Sequence, residues 1–502
     1  MTARTAAERL IVRGGISAGI GFVTRFGARF LFLFVAGQLY GAALFGAFNL
    51  AVAVVELAAT VGGVGLRKTL FQLLDRNEED GTRPAVHVVV DGALLVTAVS
   101  LSLAAIIAST VALLPRTLIP PNTEAALVLL APMIAGQALL DLLAASTRWK
   151  HVMRYEVASR SFIEPYAAVA AAAAAWYAGL EEIGLLLSYW VATLAALAFS
   201  LYGARRAYGP LGPGRYRTSP AALLSMARGT FPNMASDVVN AFFARLDLYL
   251  VGLILGERAT GLYAMARQLR TPVRQVRQSL DSLLTPIAAR TLGVQGPAQT
   301  ALALASATRL ILAVTLPVLL LLIALGEPLL AAFGREFRPA YLAMVTVTAA
   351  ELIQAAYGLS GLIFVYLQPW LGLRLTALWS AIGVAVGALL IPPLGIEGAA
   401  ASVLTAYAGM ALHRRIVLAR RFDVRIPLRH SFGPIVAATL GLAAMILAWE
   451  LAAAAPRLTR DVAAAVAALA VYGIALWAWV RATGERLSMA GFTADPVQSG
   501  AA

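Results

Sequence analysis

The chain has 502 residues, 60% of them hydrophobic and 13% charged, with a net charge of +14 and a mean hydropathy of +0.78. That balance defines a polytopic membrane protein and excludes a soluble globular domain; the basic excess collects in loops for topological reasons and does not imply nucleic acid. Cysteine is absent, so disulfides and thiolate chemistry are excluded. Arg4, Arg9 and Arg13 precede an apolar run that continues through Gly41. Without a short hydrophobic core and a small-residue cleavage site, it reads as a retained first span rather than a signal peptide.

Apolar stretches of about 20 residues, enough to cross about 30 Å of hydrocarbon, fall near 15–38, 44–66, 86–113, 125–146, 156–178 and 183–203. A second set falls near 229–255, 260–288, 307–332, 340–366, 370–391, 396–417, 432–454 and 461–481. The expected fold class is therefore all-α, with about 14 transmembrane helices. Basic residues alternate between the two sides of these spans. One side holds Arg4 to Arg13, Arg67 to Arg83, Arg148 to Arg160, Arg205 to Arg228, Arg290 and Arg309, Arg414 to Arg429, and Arg481 and Arg486. The other receives only Arg116, Arg258, Arg335, Arg338, Arg457 and Arg460. The asymmetry places both termini in the cytoplasm.

Within the eighth stretch, Arg267, Arg270, Arg274 and Arg277 recur at three, four and three residues, the helical period. Each costs about 2.5 to 3.5 kcal/mol at mid-membrane, which lipid contact cannot offset, so the stripe must face water, anions or acidic partners. Removing this segment as a span would invert the orientation of everything after it and put Arg414 to Arg429 outside, so it is read as crossing. The alternative is an amphipathic helix lying flat on the surface.

An offset of 215 residues aligns Arg13-Gly14 with Arg228-Gly229, Gly41 and Gly46 with Gly256 and Gly261, and Phe48 with Tyr263. These matches imply two similar six-helix lobes in the same orientation. The expected organisation is an N-terminal lobe over 1–207, a Gly/Pro-rich cytoplasmic linker over 208–228 and a C-terminal lobe over 229–425. Two further transmembrane helices fill 426–485, with a cytoplasmic tail over 486–502.

Three segments carry a resemblance. LYGAALFGAFNLAVAVVELAATVGGVGL (39–66), ARLDLYLVGLILGERATGLYAMARQLRTP (244–272) and PPLGIEGAAASVLTAYAG (392–409) resemble the second, the seventh to eighth, and the twelfth helix of the polysaccharide-export, Wzx-like flippases of the multidrug/oligosaccharidyl-lipid/polysaccharide superfamily. The resemblance implies two six-helix bundles around a cavity that opens alternately to either side. It also implies a polyprenyl-diphosphate-linked glycan as cargo in the bacterial inner membrane. A lipid II-type flippase and an ion-coupled multidrug exporter of the same superfamily are the alternatives within that class. A membrane-embedded glycan polymerase or ligase is the alternative outside it, disfavoured because the external segments are short.

A diphosphate crossing low-dielectric space needs fixed cations, and arginine offers a permanently charged fork of donors. The substrate-binding candidates are Arg25, Arg29, Arg245, Arg267, Arg270, Arg274, Arg277 and Arg374. Glu56, Asp91, Asp141, Asp237, Asp247 and Glu351 could pair with them as structural ions. The same acids except Asp237 are the candidates for H+ or Na+ coupling. Gly19, Gly21 and Pro232 are hinge candidates, with close helix packing as the alternative role. His87, His151, His413 and His430 have no ligand spacing, and no nucleotide motif is present, so neither metal nor cofactor is expected. The implied partners are the lipid-linked glycan, membrane lipids and glycan-assembly machinery around a functional monomer, with no nucleic acid.

Overall fold

The computed structural model describes residues 24, 26–80, 83–115, 120–209, 216, 218–278 and 296–484. Among them there is no strand, and the chain is an all-α polytopic membrane protein. The helices themselves require an apolar solvent. In the most apolar part of the helix over Trp370–Leu394 only 17% of residues are buried by protein, and in Ala85–Leu113 only 22%; in water such surfaces would not remain uncovered.

Two compact units divide the chain. Unit 1 comprises Met1–Gly252 and Gly256–Gly261; unit 2 comprises Leu253–Leu255 and Leu262–Ala502. In unit 1, helix α1 (26–35) passes through one wide π-helical turn, Ala36–Tyr40, into α2 (Gly41–Gly62). Then follow α3 (Leu66–Asp80), α4 (Ala85–Leu113), α5 (Pro121–Leu130) and α6 (Met133–Trp149). Next are α7 (Arg154–Ala158), a second π turn over Ser159–Ile163, α8 (Glu164–Tyr177), α9 (Gly184–Tyr208) and α10 (Pro220–Phe243). The apolar faces of α2 and α6 meet at the centre, where Phe45, Leu66, Leu70, Leu130, Ile134, Leu140 and Leu142 are fully enclosed. Ser219 caps α10, its hydroxyl accepting from the Ala222 amide at 3.2 Å, and Pro220 follows at the first helical position. These two signals start α10 nine residues ahead of the span expected from 229.

Helix α11 (Leu246–Leu269) contains a break at Gly256, and α12 is described over 271–278. In unit 2, α13 (Gly296–Phe333), a 3₁₀ segment over Arg335–Ala340, α14 (Tyr341–Tyr357), α15 (Ser360–Leu367), α16 (Pro369–Leu394) and α17 (Ile396–Arg421) pack around a core that includes Ile311, Ala355 and Phe364. The last helices, α18 (Arg429–Leu451) and α19 (Arg457–Thr483), pair with each other and close on α13 through Leu320, Ala437 and Tyr472.

Eight helices among the described residues are long and apolar enough to cross a membrane, and up to ten spans result if each of two bent pairs is one. The expected 14 is not reached by this measure, for physical reasons. One of the eight, Phe26–Glu79, is 54 residues long, about 80 Å of helix, and so holds the first two expected spans joined at Gly41. The expected fifth span is interrupted by the π turn before α8, and α17 carries His413, Arg414 and Arg415 in its second half. Both bent pairs, α5 with α6 and α10 with α11, turn by 47°; Pro132 lies at the first break, where its missing N–H and ring disrupt the helix.

The two glycines matched by the 215-residue offset share one backbone shape. Gly41 has φ +74° and ψ 176°, and Gly256 has φ +81° and ψ −171°, a region that L side chains rarely occupy. Five residues on, Gly46 and Gly261 allow an unusually close approach: a β-carbon on Gly46 would collide with the Glu257 carbonyl oxygen, and one on Gly261 with that of Ala42. Their aromatic followers, Phe48 and Tyr263, are both buried.

Candidate functional site

Helical periodicity collects a polar face inside unit 1. Glu56 and Thr60 lie one turn apart on α2, Gln137 and Asp141 one turn apart on α6, and Asp237 and Asn240 together on α10. With Arg67, Lys68, Arg160 and Arg245 they line a cavity of 420 Å³. Arg245 stands at the 47° break between α10 and α11 and donates to Glu56. Arg160 sits in the π turn after α7, a local widening frequent at functional sites. Its guanidinium reaches Asp141 at 2.6 Å, Glu164 at 3.0 Å and Gln137 at 3.1 Å. Arg67 approaches the other Asp141 oxygen at 3.8 Å, and Lys68 pairs with Asp237. Cations and carboxylates here are matched, so the cavity can exchange partners without a large net charge.

Unit 2 is built differently. The arginine stripe is not one unbroken helix face: α11 ends at Leu269, Arg270 occupies a turn, and α12 resumes at 271. Pro272 explains the interruption, because it has no N–H for the helical ladder and disfavours helical geometry just before it. The break turns Arg270 inward, to 4% exposure, where it meets the equally buried Glu351 of α14 at 3.5 Å. Arg267 and Arg277 are half-buried and Arg274 is exposed. Arg274 feels the Glu351 carboxylate, and also the like charges of Arg270 and Arg267. Two further arginines are buried in this unit, Arg309 on α13 and Arg414 on α17. Carboxylates are sparse on the helices around them: α12, α15 and α16 carry none, α13 carries Glu327, α14 Glu351, and α17 Glu397 in its first turn.

Arg29 and Asp247 are half-buried. Arg374 is exposed near the start of α16. Pro232 is exposed within α10, which runs through it without a break; the bend comes later, at Ala244 and Arg245. Arg25, Gly19 and Gly21 lie outside the described residues.

Asp91 is buried outside the cavity, where it accepts from the Tyr216 hydroxyl at 2.6 Å and faces Arg83 at 3.6 Å. Burial, then the bond to Asp91, raises the Tyr216 phenol above its usual value and keeps it a donor. Asp91 thus ties the connector between α9 and α10 to α4. Tyr216→Phe should cost about 1.5 to 3 kcal/mol, the worth of a hydrogen bond to a charged group, and should increase proteolytic cleavage of the connector, which limited digestion would register.

Reading the sequence by charge alternation places Arg67, Lys68, Arg160, Arg309 and Arg414 in loops. The structure instead gives the first three to the unit 1 cavity and buries the last two in unit 2. The i, i+4 spacing of Arg160 and Glu164 was the available signal for one of them.

Broken helices and charged residues held inside membrane-spanning segments are general features of helical membrane transporters. Among solved structures the chain resembles the lipid II flippase MurJ in an inward closed conformation, with TM-score 0.74 and 12% identity, over 93% of this chain and 100% of that one. It also resembles an inward-facing multidrug resistance MATE family transporter of the multidrug/oligosaccharidyl-lipid/polysaccharide (MOP) superfamily, with TM-score 0.63 and 12% identity over 80% and 94% of the two chains. A MOP superfamily transporter from Pyrococcus furiosus, described as having a binding pocket of reverse polarity, matches with TM-score 0.56 and 13% identity over 82% and 95%. The chain belongs to the polysaccharide biosynthesis protein family, whose model matches residues 11–292. No curated protein matches it by sequence.

Proposed function

We propose that this protein is a flippase that carries a polyprenyl-diphosphate-linked oligosaccharide, an O-antigen or exopolysaccharide precursor, across the bacterial inner membrane by alternating access. Both termini are then cytoplasmic, as the arginine asymmetry requires. The observation that carries the proposal is the arginine excess of unit 2, where Arg270, Arg309 and Arg414 are buried, Arg267 and Arg277 half-buried, and Arg270 meets the α14 carboxylate Glu351. Such an interior repels cationic drugs and suits a diphosphate, which arginine binds through paired donors. Membership in a polysaccharide biosynthesis family supports a glycan as the rest of the cargo. Nothing in this mechanism makes or breaks a covalent bond; the protein supplies a charged path and a conformational change.

The matched ions of unit 1 suit coupling. When Glu56 loses Arg245, or Asp141 loses Arg160, a carboxylate is left in a partly desolvated cavity and takes up H+ or Na+. A cycle in which one lobe exchanges ions while the other holds phosphate would drive the two repeated lobes between their two openings.

Transport in proteoliposomes tests the proposal. Arg270→Ala and Arg274→Gln should each lower leaflet translocation of a lipid-linked glycan at least tenfold, and Arg270→Lys should retain part of it. Unchanged transport by Arg270→Ala at normal expression would remove the site. Lipid II offered in the same assay separates the glycan precursor from a peptidoglycan one, since both share the diphosphate.

A further inference from the structure

Arg414 is a buried cation of the unit 2 interior. It is 8% exposed. Its Nη2 donates to Thr376 Oγ1 on α16 at 2.9 Å, and the Thr376 hydroxyl in turn donates to the Gly372 carbonyl, so the threonine holds the guanidinium in one orientation. On the opposite side α15 comes close because residue 361 is glycine; a β-carbon there would lie 2.8 Å from Nη1. The Nε group is buried and makes no hydrogen bond. No carboxylate pairs with Arg414 among the described residues, and the charged neighbour that acts on it is Arg277, of the same sign.

A buried guanidinium with an unpartnered Nε and a like charge acting on it is a costly arrangement that proteins retain where an anion completes it. Threonine and glycine around Arg414 preserve its pose instead of relieving its charge. We infer that Arg414 and Arg277 form a second phosphoryl-binding position, beyond the one at Arg270 and Arg274. The four arginines then grip the two phosphates of one diphosphate at successive points, with the exposed Arg274 as the entry and Arg414 as the deepest contact. The identity of the cargo rests on the flippase proposal; the anion site itself does not.

Binding to the full-length protein in nanodiscs tests the inference, with inorganic phosphate, inorganic pyrophosphate and a polyprenyl diphosphate as separate probes. Arg414→Gln should weaken polyprenyl diphosphate and pyrophosphate binding about tenfold to a hundredfold, Arg414→Lys should weaken it less, and Gly361→Ala should act like Arg414→Gln by pushing the guanidinium aside. Without anion, Arg414→Gln should unfold at or above the wild-type temperature, because it removes an uncompensated buried charge.

Wild-type affinities in Arg414→Gln and Gly361→Ala, or a lower unfolding temperature with anion binding intact, would make the arginine structural and overturn the inference. A loss confined to inorganic phosphate would make this a counter-ion position and overturn its assignment to cargo. Arg270→Ala serves as the reference: if it abolishes polyprenyl diphosphate binding while Arg414→Gln does not, the inference fails and the flippase stands. If the wild type binds pyrophosphate in an Arg414-dependent way but no polyprenyl diphosphate, the anion site stands and the flippase reading fails.

Discussion

Replacing Glu351 with Leu is expected to lower stability by about 3 to 5 kcal/mol, because it removes the carboxylate that faces the buried Arg270. Both side chains are about 95% enclosed and lie 3.5 Å apart, so water cannot replace the lost partner. Removing both charges should behave differently. The pair Glu351→Leu with Arg270→Met exchanges a buried ion pair for apolar contact and should recover most of the loss, since such exchanges are often neutral or favourable. Thermal unfolding in lipid nanodiscs measures both quantities. The double variant should fold and yet fail to translocate a lipid-linked glycan, and that separation of stability from transport is what distinguishes a working charge from a structural one.

The second large effect belongs to Gly46. Gly46→Val places a branched side chain where even a single methyl meets the Glu257 backbone. Overpacking costs about 1 to 3 kcal/mol where neighbours can shift, and here the obstacle is main chain already held in place. The Glu257 carboxylate accepts from the Thr123 amide at 2.7 Å, the Thr123 hydroxyl at 2.8 Å and the Asn122 amide at 2.8 Å, which fixes that turn against the start of α5. The expected result is loss of folded protein on size-exclusion chromatography. Gly46→Ala should be milder but still clearly destabilising, and Gly261→Val should reproduce Gly46→Val in kind and size.

What the sequence discloses depends on the range of the interaction behind each feature. Span character is local: twenty apolar residues in a row identify a membrane helix with no knowledge of its neighbours. The paired geometry of Gly41 and Gly256 is legible for a related reason, since both positions stand in the same short pattern, Gly-x4-Gly, and glycine marks the backbone that the turn needs. Glu56, Asp141 and Arg245 could be singled out as ions inside spans, although their convergence on one cavity depends on how α2, α6 and α10 pack.

Arg414 offers no local signal, and for Arg160 the i, i+4 spacing to Glu164 is the single one. Counting charges by loop assigns both to the cytoplasmic surface, yet their burial is decided by Gln137 and Asp141 in one case and by Gly361 and Thr376 in the other. The interruption at Arg270 had a local cause in Pro272, but the arginine period, which persists across it, concealed the break. The span count differs for a similar reason. A π turn or a 47° bend changes helix length and direction without changing how apolar the sequence is.

The close approaches of Gly46 to Glu257 and of Gly261 to Ala42 are reciprocal. Position 42 corresponds to 257 and position 46 to 261, so the same patch faces its own counterpart, as at an isologous interface between two identical subunits. Each missing side chain admits the backbone that carries the other close approach, so the mutual fit persists only while both positions stay glycine.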